Sequence, residues 1–247
     1  MTEVVLAREM PLPRLVPLLL SFVAGYVDIY TFLALFGLFV AQVTGSFVTA
    51  GAELVTHDVG VAGKMIAVIA FIFAATLTAA LLTSAHERGR AVLPWMLALE
   101  TALLAVFTVI MLAGPPIKGP ADWHGIIAGL FGAMAMGAQS VIVRLHMRGI
   151  PQTNVMTGNM TQVGIETAAL LFAWRRHAKN RADHDRAIEF AAVRSRLFVV
   201  LVIAVSFLLG TAAGAVCYAQ VGLAGAPVAV VIVAALTLWA GWRERQA

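Results

Sequence analysis

Long apolar runs, separated by short polar or Pro/Gly-rich breaks, organise this chain from residue 15 to residue 243. A run of about 20 apolar residues is what a helix needs to cross a hydrocarbon core of ~30 Å. Taken between the breaks, the pattern predicts eight spans, at about 15–36, 39–56, 63–84, 93–113, 123–143, 153–174, 197–219 and 226–243. The second and the last are short, so the second also reads as a broken or re-entrant helix. The expected fold class is therefore an all-α integral membrane protein of about eight transmembrane helices in two repeated halves. Its predicted divisions are a cytoplasmic tail 1–14, a first membrane repeat 15–113, a linker 114–122, a second repeat 123–243 with a basic loop 175–196, and a tail 244–247.

The repeat is visible in the polar positions. VTGSFVTAGAE (Val43–Glu53) returns as MTGNMTQVGIE (Met156–Glu166), with Thr44 to Thr157, Gly45 to Gly158, Gly51 to Gly164 and Glu53 to Glu166 all shifted by 113. Upstream, GYVDIY from Gly25 pairs with GAQSVI from Gly137, with one extra residue in the second copy. Four predicted spans between equivalent points make the halves parallel repeats; an odd number would invert them.

At these residues the chain resembles the YoaK-type family, multi-span membrane proteins found mostly in bacteria. The resemblance rests on GYVDIYTFLALFGLFVAQVTGSFVTAG in the first half and on GAQSVIVR and TNVMTGN in the second, and it loosely covers nearly the whole chain. The first copy departs from the pattern in reading Thr-Gly-Ser where Thr-Gly-Asn is expected. The resemblance implies no substrate, reaction or catalytic residue.

Composition narrows the class further. The chain is 61% hydrophobic and 12% charged, against roughly 25% charged in soluble domains. Its net charge of +4 lies in the breaks between apolar runs, without a basic stripe interleaved with aromatics, so no nucleic-acid partner is expected. Most of the 17 lysines and arginines fall on the N-terminal side of an eight-span layout, with Arg88, Arg90, Arg144 and Arg148 on the other. That bias predicts cytoplasmic termini and an inner-membrane location. The mixed charge of the first residues and the lack of a small-x-small site argue against a cleaved signal peptide. Cys217 stands alone, which excludes an internal disulfide.

Read as helix, Gln42, Ser46, Thr49 and Glu53 form one polar stripe, and Asn159, Gln162 and Glu166 form its counterpart. The Thr44-Gly45 and Thr157-Gly158 pairs suit interrupted helices, which are tolerated at membrane depth only where buried or facing water. Asp28, midway along the first span, and Glu100 are costly charges that usually mark a pathway. Gln139 stands near the Asp28 equivalent. The same small and hydroxylated residues also suit close helix packing, and each repeated glutamate lies late enough to reach the headgroups.

These features predict a permease for a small polar or anionic solute, with proton coupling through Asp28, Glu53, Glu166 or Glu100 as a subsidiary hypothesis. The alternatives are a channel, a structural or signalling membrane protein and, ranked last, an intramembrane enzyme. No HExxH, GxSxG or GxxxxGK[ST] pattern occurs, so no catalytic residue, metal site or cofactor is assigned. The expected partners are the bilayer, an unknown solute and, as an open option, further copies of the chain.

Overall fold

The computed structural model describes residues 15–88, 92–147, 149–179 and 183–246. The tail at 1–14 and part of the basic loop lie outside the described residues. All regular structure among those described is helical: α1 (Leu15–Ala34), α2 (Val43–Thr56), α3 (Val61–Glu87), α4 (Leu93–Ala113), α5 (Trp123–Val141), α6 (Met156–Lys179), α7 (His184–Val221) and α8 (Pro227–Glu244). A π-helical turn, Ile142–His146, prolongs α5.

Local chemistry sets several of the boundaries. Pro94 and Pro227 occupy the first turns of α4 and α8, where a missing N–H costs nothing. Asp122 caps α5 by accepting the amide of His124 at 3.0 Å; the amides of His124 and Lys118 hold its carboxyl below the usual carboxylate range. Asp183 caps α7 in the same way, through the amide of Arg186.

Six helical segments are long and apolar enough to cross a membrane: those built on α1, α3, α4, α5, α7 and α8. The expectation of eight is revised at α2 and α6. The first has only 14 residues, or about 21 Å of helix. The second has 24 residues but ends in Arg176, His177 and Lys179, and it carries Asn159, Gln162 and Glu166.

Helix directions follow from which residues touch. At one end of the molecule Leu35, just past α1, meets Gly63 and Lys64 at the start of α3, Ile117 just after α4, and Ile126 at the start of α5 around a single pocket. So α1 and α4 arrive where α3 and α5 depart. Helix α7 runs parallel to α1, with Ser206 bonded to the carbonyl of Leu18 and Tyr30 to that of Gly222. Helix α8 runs antiparallel to α4, the two joined by Thr101 and Thr237 at 3.1 Å.

Glycine lets two of these pairs approach closely. Gly25 lies against the backbone carbonyl of Phe207, and Gly137 against that of Phe71; a Cβ at either glycine would collide with main chain. Such contacts replace the hydrophobic drive that helices lack in lipid. Val at Gly25 or Gly137 should therefore lower thermal stability in detergent by about 1–3 kcal/mol, the usual cost of overpacking. Gly51→Ala, at a glycine with open space around it, should leave stability equal or slightly raised.

Candidate functional site

The site begins with a chain reversal. After Ala34 the backbone turns through Phe36 and Gly37, both at positive φ, and runs back alongside α1. It descends until the amides of Val40 and Ala41 each reach Asp28 Oδ1 at 2.8 Å and that of Gln42 reaches Oδ2 at 3.3 Å. Helix α2 then starts and climbs back beside the descending strand of chain. Ser46 Oγ donates to the carbonyl of Phe39 at 2.8 Å and accepts its amide at 3.1 Å. About one turn further, Thr49 Oγ1 donates to the carbonyl of Gly37 at 3.2 Å. Helix α2 is thus one limb of a re-entrant loop that begins and ends at the same end of the molecule.

The second Thr-Gly stretch is tied down by a bond at the matching register. Asn159 Nδ2 donates to the carbonyl of Gln152 at 2.7 Å, the register partners of Ser46 and Phe39 at a shift of 113. Gln139 Nε2 donates to Thr153 Oγ1 at 2.8 Å and to the carbonyl of Leu20 at 2.9 Å, which anchors the second loop to α1. Helix α6 then runs antiparallel to α7, and Arg176 pairs with Glu189.

The Thr-Gly pairs lie in the first turn of each short helix and not at a break within one. Their N-terminal ends converge on an open cavity of about 450 Å³, lined by Gln42 and Thr44 from one loop, Asn154 and Thr157 from the other, and Phe71 and Ser140 between them. Gly45 packs against the ring of Phe39, whereas Gly158 is exposed.

Ser46 and Thr49 stitch the first loop together, while Asn159, Gln162 and Glu166 line a second open cavity, of about 530 Å³, together with Gly158 and Arg196. Gln162 is exposed and donates to Glu166 at 2.9 Å. Glu166 also accepts from Arg196 at 3.1 and 3.2 Å, and Glu53 pairs with buried Lys64. Glu53 therefore ties the last turn of α2 to α3, and Glu166 ties the middle of α6 to α7. Glu100 is fully buried on α4, and neither of its oxygens finds a partner; the cavity's lining does not include it.

Sequence reasoning missed Lys64, Ser140, Asn154 and Arg196. The signal for Ser140 was present, because the register that takes Gly25 to Gly137 takes Asp28 to Ser140, one residue beyond Gln139.

The geometry assigns Asp28 to positioning. Asp28→Asn keeps an acceptor for Val40 and Ala41 but turns an N–H toward Gln42. It should cost about 1.5–3 kcal/mol in thermal unfolding, the range for a hydrogen bond to a charged group. Asp28→Ala, which leaves three amides unmet, should cost more.

Comparison with known proteins gives a family and no activity. The profile described as "Protein of unknown function (DUF1275)" matches residues 16–239. No curated protein and no solved structure matches significantly.

Proposed function

The chain belongs to this family of proteins of unknown function, DUF1275, and we propose from its geometry that it is a permease for a small polar or anionic solute. The observation that carries the reading is the convergence of two short-helix N-termini on one cavity. Discontinuous helices that present their positive ends to a central site are a recurring device of secondary transporters. A channel built on the same cavity is the second reading.

In this reading six helices span the bilayer, and α2 and α6 enter it from opposite faces. Three spans per half make the repeats inverted, about an axis in the membrane plane, in place of the parallel arrangement expected from eight spans. The packing supports the exchange: α1 lies along α7 as α5 lies along α3, through Gly25 and Gly137 at equivalent positions.

The revised layout also sharpens the charge bias. Of the described basic residues, Arg88, Arg144, Arg175, Arg176, Lys179, Arg186, Arg194, Arg196, Arg243 and Arg245 fall on the side of the termini. Only Lys64 and Lys118 fall on the other. That asymmetry supports cytoplasmic termini in an inner membrane. Helix α7, at 38 residues, is about 57 Å long, so with α6 it forms a hairpin projecting well beyond the cytoplasmic face. Proton coupling keeps its support only at Glu100, since Asp28, Glu53 and Glu166 are engaged by donors.

The layout separates cleanly from the eight-span one. A cysteine at Asp58, in a Cys217→Ser background, should react with an impermeant thiol reagent from outside the cell, and one at Glu87 only after permeabilisation. Eight spans would reverse both results.

Transport is tested in proteoliposomes against a panel of labelled small solutes. Thr44→Leu and Thr157→Leu, which fill the cavity from its two walls, should each reduce uptake at least about tenfold with little change in melting temperature. Folded protein that moves none of the panel would count against a permease, and uptake unaffected by both substitutions would move the path elsewhere.

A further inference from the structure

Two enclosed polar side chains on the contact between α4 and α5 leave oxygens without a donor. Glu100 is completely buried, and neither oxygen of its carboxyl has a partner. Gln139 is equally buried. Its Nε2 uses both hydrogens, on the carbonyl of Leu20 at 2.9 Å and on Thr153 Oγ1 at 2.8 Å, while its Oε1 meets no donor. A carbonyl only accepts, so the bond to Leu20 fixes which end of the amide is which.

Helical register brings the two residues together. A Cβ on Gly132 of α5 would lie 3.6 Å from the ring of Phe107 of α4. The helices are antiparallel, so two turns from that contact, in one direction, lead to Gln139 on α5 and Glu100 on α4. Seven residues return to the same face, which sets the carboxyl and the amide against each other. Three buried oxygens without a donor are costly, and an unpaired carboxylate among them more so. One proton removes both faults.

We propose that Glu100 and Gln139 form a proton-binding site whose occupancy is read by the second re-entrant loop. With the proton bound, the neutral carboxyl of Glu100 donates its O–H to Gln139 Oε1. That bond keeps Nε2 turned toward Leu20 and toward Thr153 of the loop. When the O–H bond breaks, the proton passes to water and its electron pair stays on the carboxylate, which only accepts. The amide of Gln139 then turns over to present its N–H groups to the carboxylate, and the bonds to Leu20 and Thr153 are lost. Thr153 immediately precedes Asn154, which lines the cavity with Thr157, so the proton tightens or frees one wall of it. Gln139 is the positioning residue of this device. The inference rests on the permease reading for its use, since it names the ion that drives such a carrier.

Other charges stand apart from the pair. The elements packed against α4 carry Arg144 and His146 on the π-helical turn and Arg243 and Glu244 on α8. The Gly132–Phe107 contact and the Thr101–Thr237 bond set these level with Leu93–Trp95, at least five residues from Glu100. His124 lies at the opposite end of α5, and Asp28 on α1 is eight residues beyond Leu20.

The test uses the purified full chain. At neutral pH its infrared spectrum should contain the carbonyl stretch of a neutral carboxylic acid that Glu100→Gln removes. The switch is read by thiol labelling in a Cys217→Ser background. Val155→Cys in the second loop is measured against Val43→Cys in the first, both at the cavity, so that the pH dependence of thiol chemistry cancels. From neutral into alkaline buffer the ratio should rise by about fivefold or more, the low end of coupling between sites. Glu100→Gln, whose amide still donates to Gln139 Oε1, should hold the ratio flat. Glu100→Met, which has no charge to form, takes its place if that variant does not fold. Gln139→Leu removes the anchor and should raise the ratio at every pH. The inference falls if Glu100→Gln leaves the acid band unchanged, if the parent ratio is flat, or if its rise survives in the Glu100 variants. Labelling needs no solute, so a switch in protein that moves nothing on the panel would stand and overturn only the permease. Uptake whose pH dependence survives Glu100→Gln would keep the permease and overturn the coupling.

Discussion

Three backbone amides on one carboxylate hold this architecture in place. A loop that turns back into a membrane protein carries N–H groups that neither water nor a regular helix can satisfy, and each one left unmet costs several kcal/mol. Asp28 removes that cost for Val40, Ala41 and Gln42 together. Ser46 and Thr49 then fasten the ascending helix to the descending chain. Where α2 starts and which way its N-terminus faces follow from where Asp28 stands on α1.

The second loop reaches the same form by other means. Gln139, Thr153 and Asn159 tie it to α1, α5 and its own descending limb, with no carboxylate at the Asp28 position. Both loops are braced by an ion pair to the next helix, Glu53 with Lys64 near the end of α2 and Glu166 with Arg196 midway along α6. The first pair is nearly enclosed, whereas Arg196 is 57% exposed, so screening by salt weakens the second pair more. The two loops therefore share this bracing and differ in how firmly each helix is held.

Much of this was legible in the sequence, and the reasons for the failures are physical. Apolar run length located all eight helices, because burial in lipid imposes it, and the repeat marked the two that matter. Run length says nothing about direction, however. The stretch 39–56 is apolar whether it crosses or doubles back, and the reversal depends on left-handed conformations at Phe36 and Gly37 that hydropathy does not encode. Asp28 and the Thr-Gly stretches stood out as costly or unusual residues in apolar surroundings. The partners of Asp28 are main-chain amides, which leave no mark in residue identity. Lys64 and Arg196 read as ordinary loop charges because the pattern gave no reason to bring them onto Glu53 and Glu166.

Helix α7 has a mechanical consequence. It is continuous from His184 to Val221, gripped by α6 through Arg196 near one end and seated on Gly25 through the carbonyl of Phe207 further along. Gly25 is three residues, about one turn, from Asp28. A rigid rod held in this way is a lever: displacement of the end that it shares with α6 is delivered to the turn of α1 that holds the first loop. Whatever docks on that hairpin acts on the helix core by leverage, without having to enter it.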